Sequence, residues 1–206
     1  MRKKCLLFFL VSLSLALFLT ACGGSGPSRN IPPTRGLWEG NVYTSEYLGL
    51  QLTLPEDWIA TPDEEIVASL GLDPDTFLPA SVVPEEVFDL PHLTSLTELS
   101  VMDPFTGASV MIIFERLEAP ISENEYIALA AEALALMGME ITLDFPLTTI
   151  GAYEWHSYGS AFEVFDLTIY GRYFVNIQGG FVRAIAISYH EFSESLETLL
   201  ALFSGI

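Results

Sequence analysis

Residues 141–190 read ITLDFPLTTI GAYEWHSYGS AFEVFDLTIY GRYFVNIQGG FVRAIAISYH. Apolar and polar side chains alternate along this run with a period of two, the spacing that sends successive side chains to opposite faces of a pleated strand. Gly151, Gly159, Gly171 and Gly179-Gly180 punctuate it, so it reads as an antiparallel meander of four or five strands. Upstream, Leu96–Met102 and Ala108–Leu117 are also strand-like. Between them, Asp103-Pro104-Phe105-Thr106-Gly107 carries the Pro and Gly of a hairpin turn.

Helix signals are fewer. Ser122-Glu123-Asn124-Glu125 has the spacing of a capping box, and Ile127, Ala130, Ala131, Leu134 and Met137 then recur at helical intervals up to Gly138. This predicts the main helix packed on the sheet. Thr61-Pro62-Asp63-Glu64 is a second start, closed by Gly71. Asp73-Pro74 and Pro84-Glu85 suggest a helical insertion over 71–93, the segment expected to act as a lid or groove wall. Phe192, Leu196, Leu199, Leu200 and Phe203 mark an amphipathic closing helix. Strands outnumber helices and are joined by short turns, which gives an α+β fold: an antiparallel β-sheet flanked by helices.

The region from Trp38 to Trp58 predicts two strands, Val42-Tyr43-Thr44 and Leu48–Leu54, with Leu50, Leu52 and Leu54 on one face. Tyr43-Thr44-Ser45-Glu46-Tyr47-Leu48-Gly49-Leu50, followed by Leu54-Pro55 and Trp58, resembles the opening hairpin of the Mog1/PsbP-like group. That resemblance implies an antiparallel sheet flanked by helices. The group spans photosystem accessory proteins, a nuclear-transport cofactor and bacterial lipoproteins without known activity, so it implies no single function and no functional residue.

Met1-Arg2-Lys3-Lys4 is a basic tip, and Cys5–Leu19 an apolar run of about 15 residues, shorter than the roughly 20 that cross a bilayer comfortably. Leu19-Thr20-Ala21-Cys22 resembles the lipobox of bacterial lipoproteins, in which the cysteine sulfur receives a diacylglycerol and becomes the new N-terminus. Two acyl chains make a lasting anchor where one holds only reversibly. The resemblance implies a signal peptide over 1–21, lipidation at Cys22, and a location on the outer face of the bacterial cytoplasmic membrane or elsewhere in the cell envelope. Gly23-Gly24-Ser25-Gly26-Pro27-Ser28 and Ile31-Pro32-Pro33-Thr34 lack an apolar period, so 22–37 is expected to be a flexible tether, with one α+β domain over 38–206.

Loss of the signal removes Arg2, Lys3 and Lys4. Arg29, Arg35, Arg116, Arg172 and Arg183 then stand against all 27 acidic residues, a balance of −22. Such a chain is repelled by nucleic acid and anionic headgroups, leaving cationic partners or plain solubility as the use of its charge. Cys5 leaves with the signal and Cys22 carries lipid, so no disulfide or cysteine-ligated zinc is expected in the folded part.

No nucleophile elbow, phosphate loop or dinucleotide fingerprint occurs. His190-Glu191 begins like the helical zinc motif, but Glu194 stands where its second histidine belongs. His92, His156 and His190 are scattered, and no metal or cofactor is expected. Glu154, His156 and Tyr158 share one face of a strand and could form a polar cluster with acid/base capacity, the basis of an alternative hydrolase-like reading. A weaker alternative is calcium binding through Asp73, Asp75, Glu85, Glu86 and Asp89, although Phe77 breaks the ligand spacing. Trp38, Tyr43, Tyr47, Trp58, Tyr153, Trp155, Tyr158, Phe174 and Tyr189 could line a pocket or pack a core. The expectation is a tethered binding or accessory domain rather than an enzyme, its partner an envelope protein or small ligand, its oligomeric state open.

Overall fold

The computed structural model describes residues 32–73, 83, 87–88 and 95–206. The strands run β1 (Leu37–Glu39), β2 (Val42–Ser45), β3 (Leu50–Thr53), β4 (Ile59–Ala60), β5 (Ser95–Met102), β6 (Ser109–Arg116), β7 (Glu140–Thr142), β8 (Thr148–Ile150), β9 (Tyr153–Val164), β10 (Leu167–Gln178), β11 (Phe181–His190) and β12 (Phe203–Gly205). The helices are α1 (Asp63–Ser69), α2 (Glu123–Leu136) and α3 (Leu196–Leu200). Every pairing is antiparallel. A small sheet has the order β1-β2-β3-β12, and a large one the order β4-β5-β6-β11-β10-β9-β7, with β8 also on β9. This is an α+β fold, an antiparallel β-sheet flanked by helices.

The small sheet packs on one face of the large sheet, here called the inner face. Leu50 and Leu52 meet Ile112, Phe114, Trp155, Phe174 and Ile185 there, all buried. Val83, Val87 and Phe88 join this core, with the Phe88 and Phe181 rings 5.1 Å apart. The rest of the predicted 71–93 insertion beyond Asp73 lies outside the described residues.

Arg183 is also inside, 1 % exposed. Its Nη1 donates to the Tyr47 carbonyl at 2.8 Å, its Nε to Asn176 Oδ1 at 3.1 Å, and its guanidinium lies 4.2 Å from the Tyr153 ring centroid. Neutral oxygens and ring faces thus hold this cation within the core.

The meander is the four consecutive strands β8 to β11, with β7 also paired to β9, and two of its glycines serve packing instead of turns. A Cβ on Gly159 would stand 3.2 Å from the Phe145 ring, and one on Gly171 would stand 2.6 Å from Ser160 Oγ and 2.7 Å from the Tyr173 hydroxyl. The β9–β10 turn falls instead at Phe165-Asp166, both with positive φ (51° and 64°), the backbone that a two-residue hairpin with strand-matched twist requires. The closing helix is a single short element, α3; the chain then turns into β12 beside β3, and Phe192 is exposed.

Residues 32–37, expected to belong to the tether, are docked from Pro33 onward. The Pro33 carbonyl accepts from Val83 N at 2.9 Å, Arg35 pairs with Asp63 at 2.9 Å, and Gly36 N donates to the Glu98 carboxylate at 2.8 Å. Arg35 finds both acids here, which fixes the entry of the chain. The signal over 1–21, Cys22 and the tether up to Ile31 lie outside the described residues. Among the described residues no helix is long and apolar enough to cross a membrane.

Candidate functional site

The outer face of the large sheet is covered unevenly. At one side α2 begins with a complete capping box: Ser122 Oγ accepts from Glu125 N, and the Glu125 carboxylate accepts from Ser122 N at 2.8 Å. This fixes the first turn. The helix then buries Tyr126, Ile127, Ala130, Ala131 and Leu134 against β9 and β10. On the other side α1 packs over β5 with Ile66 and Val67. Its N-cap is Pro62, without a side-chain cap, and the Thr61 amide is spent on the Ser100 carbonyl at 2.8 Å.

Between the two helices the face is floored by side chains of unequal size. Register sets Met111 opposite Ala186 and Ile113 opposite Ala184, and the two alanines leave a hollow of about 230 Å³. Ile66 and Leu70 of α1 wall one side, Tyr126, Tyr158, Tyr173 and Val175 the other. Walls of this kind, with a few convergent polar groups, are the usual make-up of small-molecule sites, although the volume is at the small end.

Glu115 supplies the strongest of those polar groups. Tyr126 donates its hydroxyl to Glu115 Oε2 at 2.8 Å. Burial pushes the Glu115 carboxyl up to about 7, against the opposing pull of the Tyr126 hydrogen bond. Tyr126 and Tyr158 are themselves raised, chiefly by burial and in part by the Glu115 charge. The rings of Tyr158 and Tyr173 stack with centroids 4.7 Å apart, and the Tyr173 hydroxyl lies 3.3 Å from Ser160 Oγ. The ionisable side chains lining the hollow are acids and tyrosines. A second depression of about 720 Å³, between Trp38 and Trp58, is wider, open to solvent and lined by Asp63 and Glu64. It gathers no comparable cluster of buried polar groups.

Of the predicted cluster, Tyr158 lines the hollow and is 2 % exposed. His156 is half-buried opposite Val175, and Glu154 is exposed, its carbonyl accepting from Asn176 Nδ2 at 3.0 Å. The three do share a face, yet alternate residues of a strand stand roughly 6.6 Å apart, so Glu154 and Tyr158 are separated by about 13 Å of backbone. Their side chains form no hydrogen bond with one another. His190 is a fastener: its Nε2 lies 2.6 Å from the Thr106 carbonyl and its Nδ1 accepts from Phe192 N at 3.1 Å, tying the β5–β6 turn to the end of β11. Asp73 is described; Asp75, Phe77, Glu85, Glu86, Asp89 and His92 lie outside the described residues, within which no group of three or more His, Cys, Asp or Glu could hold a metal ion. Trp155, Phe174 and Tyr43 are core residues, and Tyr47, Tyr153 and Tyr189 pack against that core.

Glu115, Tyr126 and Tyr173 escaped the sequence reading. One signal for Glu115 was present: on β6 the face bearing Met111 and Ile113 continues directly to Glu115, so a carboxyl occupies an apolar row.

No protein-family model matches this chain, and neither does any curated protein. Among solved structures it is similar to LpqN of Mycobacterium tuberculosis, a protein described as involved in cell envelope biogenesis. The identity is 14 %, the TM-score 0.39, and the match covers 74 % of this chain and 76 % of LpqN. A protein from Bacteroides thetaiotaomicron VPI-5482 matches at 11 % identity and a TM-score of 0.41, over 82 % of this chain and 49 % of its own, so the matched region spans about half that protein's length. At such values the likeness carries no argument about function.

Proposed function

We propose that this chain is a membrane-tethered extracytoplasmic binding or accessory domain, and that its site is the hollow beside Glu115. The observation that carries the reading is a largely apolar hollow on which the Glu115 carboxyl and three tyrosines converge. The tether rests on the sequence alone: Leu19-Thr20-Ala21-Cys22 would place a diacylglyceryl group on Cys22 and hold the domain on the outer face of the cytoplasmic membrane or elsewhere in the envelope. Kinship with the Mog1/PsbP-like group belongs to the same proposal. It is supported by Tyr43–Leu50 running through the β2–β3 hairpin of an antiparallel sheet flanked by helices.

Two experiments test the reading. A small-molecule fragment screen by ligand-observed NMR should return hits on the folded domain that disappear in Ala184→Leu, whose longer side chain fills the floor of the hollow. Hits that survive this substitution at an unchanged melting temperature would relocate the site. For the anchor, Cys22→Ala should accumulate as unprocessed precursor without lipid label; normal processing and membrane retention of that variant would remove the tether from the proposal.

A further inference from the structure

The hollow has a specific imbalance of charge. Around the hollow α2 contributes Tyr126, β9 contributes Tyr158, β10 contributes Tyr173 and Val175, α1 contributes Glu65, β5 contributes the hydroxyls of Ser95, Thr97 and Ser100, and β11 contributes apolar side chains. Among the described residues lining this space no lysine, arginine or histidine balances the carboxyl. Arg116 follows Glu115 in sequence but reaches the Phe88 carbonyl at 3.0 Å, on the inner side.

Resting on the proposal that this hollow is the binding site, we infer that its ligand is an organic cation: a primary or substituted ammonium on a short apolar body, with the charge on Glu115 and the body against Ile66, Met111 and Ile113. Three features support it. The half-buried Glu115 carboxyl has a single hydrogen-bonding side chain, Tyr126, among the described residues, so an ammonium entering the hollow can pair with its other oxygen. Tyr126, Tyr158 and Tyr173 bring aromatic rings to the same space, the last two stacked as a pair, and cations are attracted to aromatic rings. A chain of net charge −19 raises the local concentration of cations and opposes entry of anions.

The size of the ligand follows from the space. About 230 Å³ corresponds to roughly seven to eight waters at about 30 Å³ each, which suits a molecule of similar heavy-atom count. Hexylamine is therefore a fair probe, with 1-hexanol and hexanoate as neutral and anionic controls of equal length.

The charge also predicts a pH dependence of known sign. An alkylamine is protonated throughout the range, since amines of this type titrate near 10. Glu115, titrating at about 7, goes from roughly one tenth to nine tenths ionised between pH 6 and pH 8. Hexylamine affinity should therefore rise about tenfold across that interval. A neutral ligand that accepts a hydrogen bond from the protonated carboxyl would weaken instead.

Calorimetric titration of the folded domain with the three probes at pH 6 and pH 8 tests this. The expected result is binding of hexylamine that tightens about tenfold toward pH 8, exceeds that of hexanol, and falls at least tenfold in Glu115→Gln, while hexanol is unaffected by that substitution. Circular dichroism confirms that the variant is folded. Hexanol binding as tightly as hexylamine, or affinity that rises toward pH 6, overturns the cation and leaves the hollow as the site. Failure of hexylamine to bind at millimolar concentration also overturns it, whereas fragment hits that survive Ala184→Leu, or no hit at all on the unsubstituted domain, would remove the site itself.

Discussion

Glu98 and Glu115 lie on adjacent strands of one sheet, the first buried and the second half-buried, yet they end in opposite surroundings. On the inner side Glu98 accepts from Gly36 N at 2.8 Å and from the Tyr43 hydroxyl at 3.0 Å, with Arg35 Nε at 3.5 Å. Arg35 in turn holds Asp63. Burial still raises the Glu98 carboxyl, ahead of the lowering effect of Arg35; the amide and the hydroxyl both bind Oε1, and Oε2 faces the Arg35 cation without a hydrogen bond. On the outer side Glu115 has Tyr126 and an open hollow. The difference separates two uses of a buried acid. One, with a cation beside it, closes the inner core and clamps the entering chain, and the other, with no basic side chain among the described residues lining its hollow, stands at the edge of a space that can take a molecule.

The sharpest way to break this comparison is to remove the built-in cation. Arg35 has a side chain only 10 % exposed, and Glu98 one that is 1 % exposed, so Arg35→Ala should cost about 3 kcal/mol in urea unfolding at pH 8 by stranding a buried carboxylate. The loss should shrink at pH 5, where Glu98 can take up a proton. A loss below about 1 kcal/mol at both pH values would mean that Glu98 does not depend on Arg35, and the contrast would dissolve.

The next effect has the opposite sign. Glu115 titrates at about 7 in the fold and near 4.3 unfolded, so the fold binds its proton more tightly. Its contribution to stability is complete below about 4.3 and lost as the pH rises through 7. The loss amounts to about 3 kcal/mol by pH 8.5. Glu115→Gln keeps the shape of the side chain and an acceptor for Tyr126, so it should equal the parent near pH 4 and exceed it by about 3 kcal/mol at pH 8.5. Urea titrations across that range measure it; parallel stability curves for the two proteins would show that burial does not hold the Glu115 proton.

The smallest effect concerns the wall that carries Tyr126. Ser122→Ala removes the cap of α2 and should cost about 1 kcal/mol, seen as roughly fivefold faster hydrogen exchange in the first turn of that helix. Unchanged exchange would show that packing of Tyr126 and Ile127 alone positions the wall, and with it the Glu115 partner.

The elements written in local chemistry were legible. The Asp103–Gly107 turn closes on itself, with Asp103 Oδ1 accepting from Phe105 N at 2.8 Å, and the Ser122–Glu125 box forms as spaced. These interactions span two or three residues, so the local chain specifies them. The Phe165-Asp166 turn was not legible because neither residue advertises positive φ as glycine does. Gly159 and Gly171 misled for the converse reason: Phe145, outside β9, crowds Gly159, and Ser160 on the neighbouring strand together with Tyr173 crowds Gly171, so neither has room for a side chain. In the closing segment, pairing of Phe203–Gly205 with β3 takes residues that helical spacing assigned to the helix.

By itself the sequence determined the α+β class, the central hairpin, the main helix and the long strands after it, the acidic balance and the lipobox-like segment around Cys22, because each depends on neighbours in the chain or on composition. Only the tertiary structure decided which acid became the site. Period two placed Glu115 on the face of Met111 and Ile113, and likewise set Glu154 beside His156 and Tyr158. What distinguishes Glu115 is that α1 and α2, remote in sequence, stand to either side of it and stop short of each other over Ala184 and Ala186. Desolvation of a carboxyl depends on everything packed around it, and that is a property of the assembled layers.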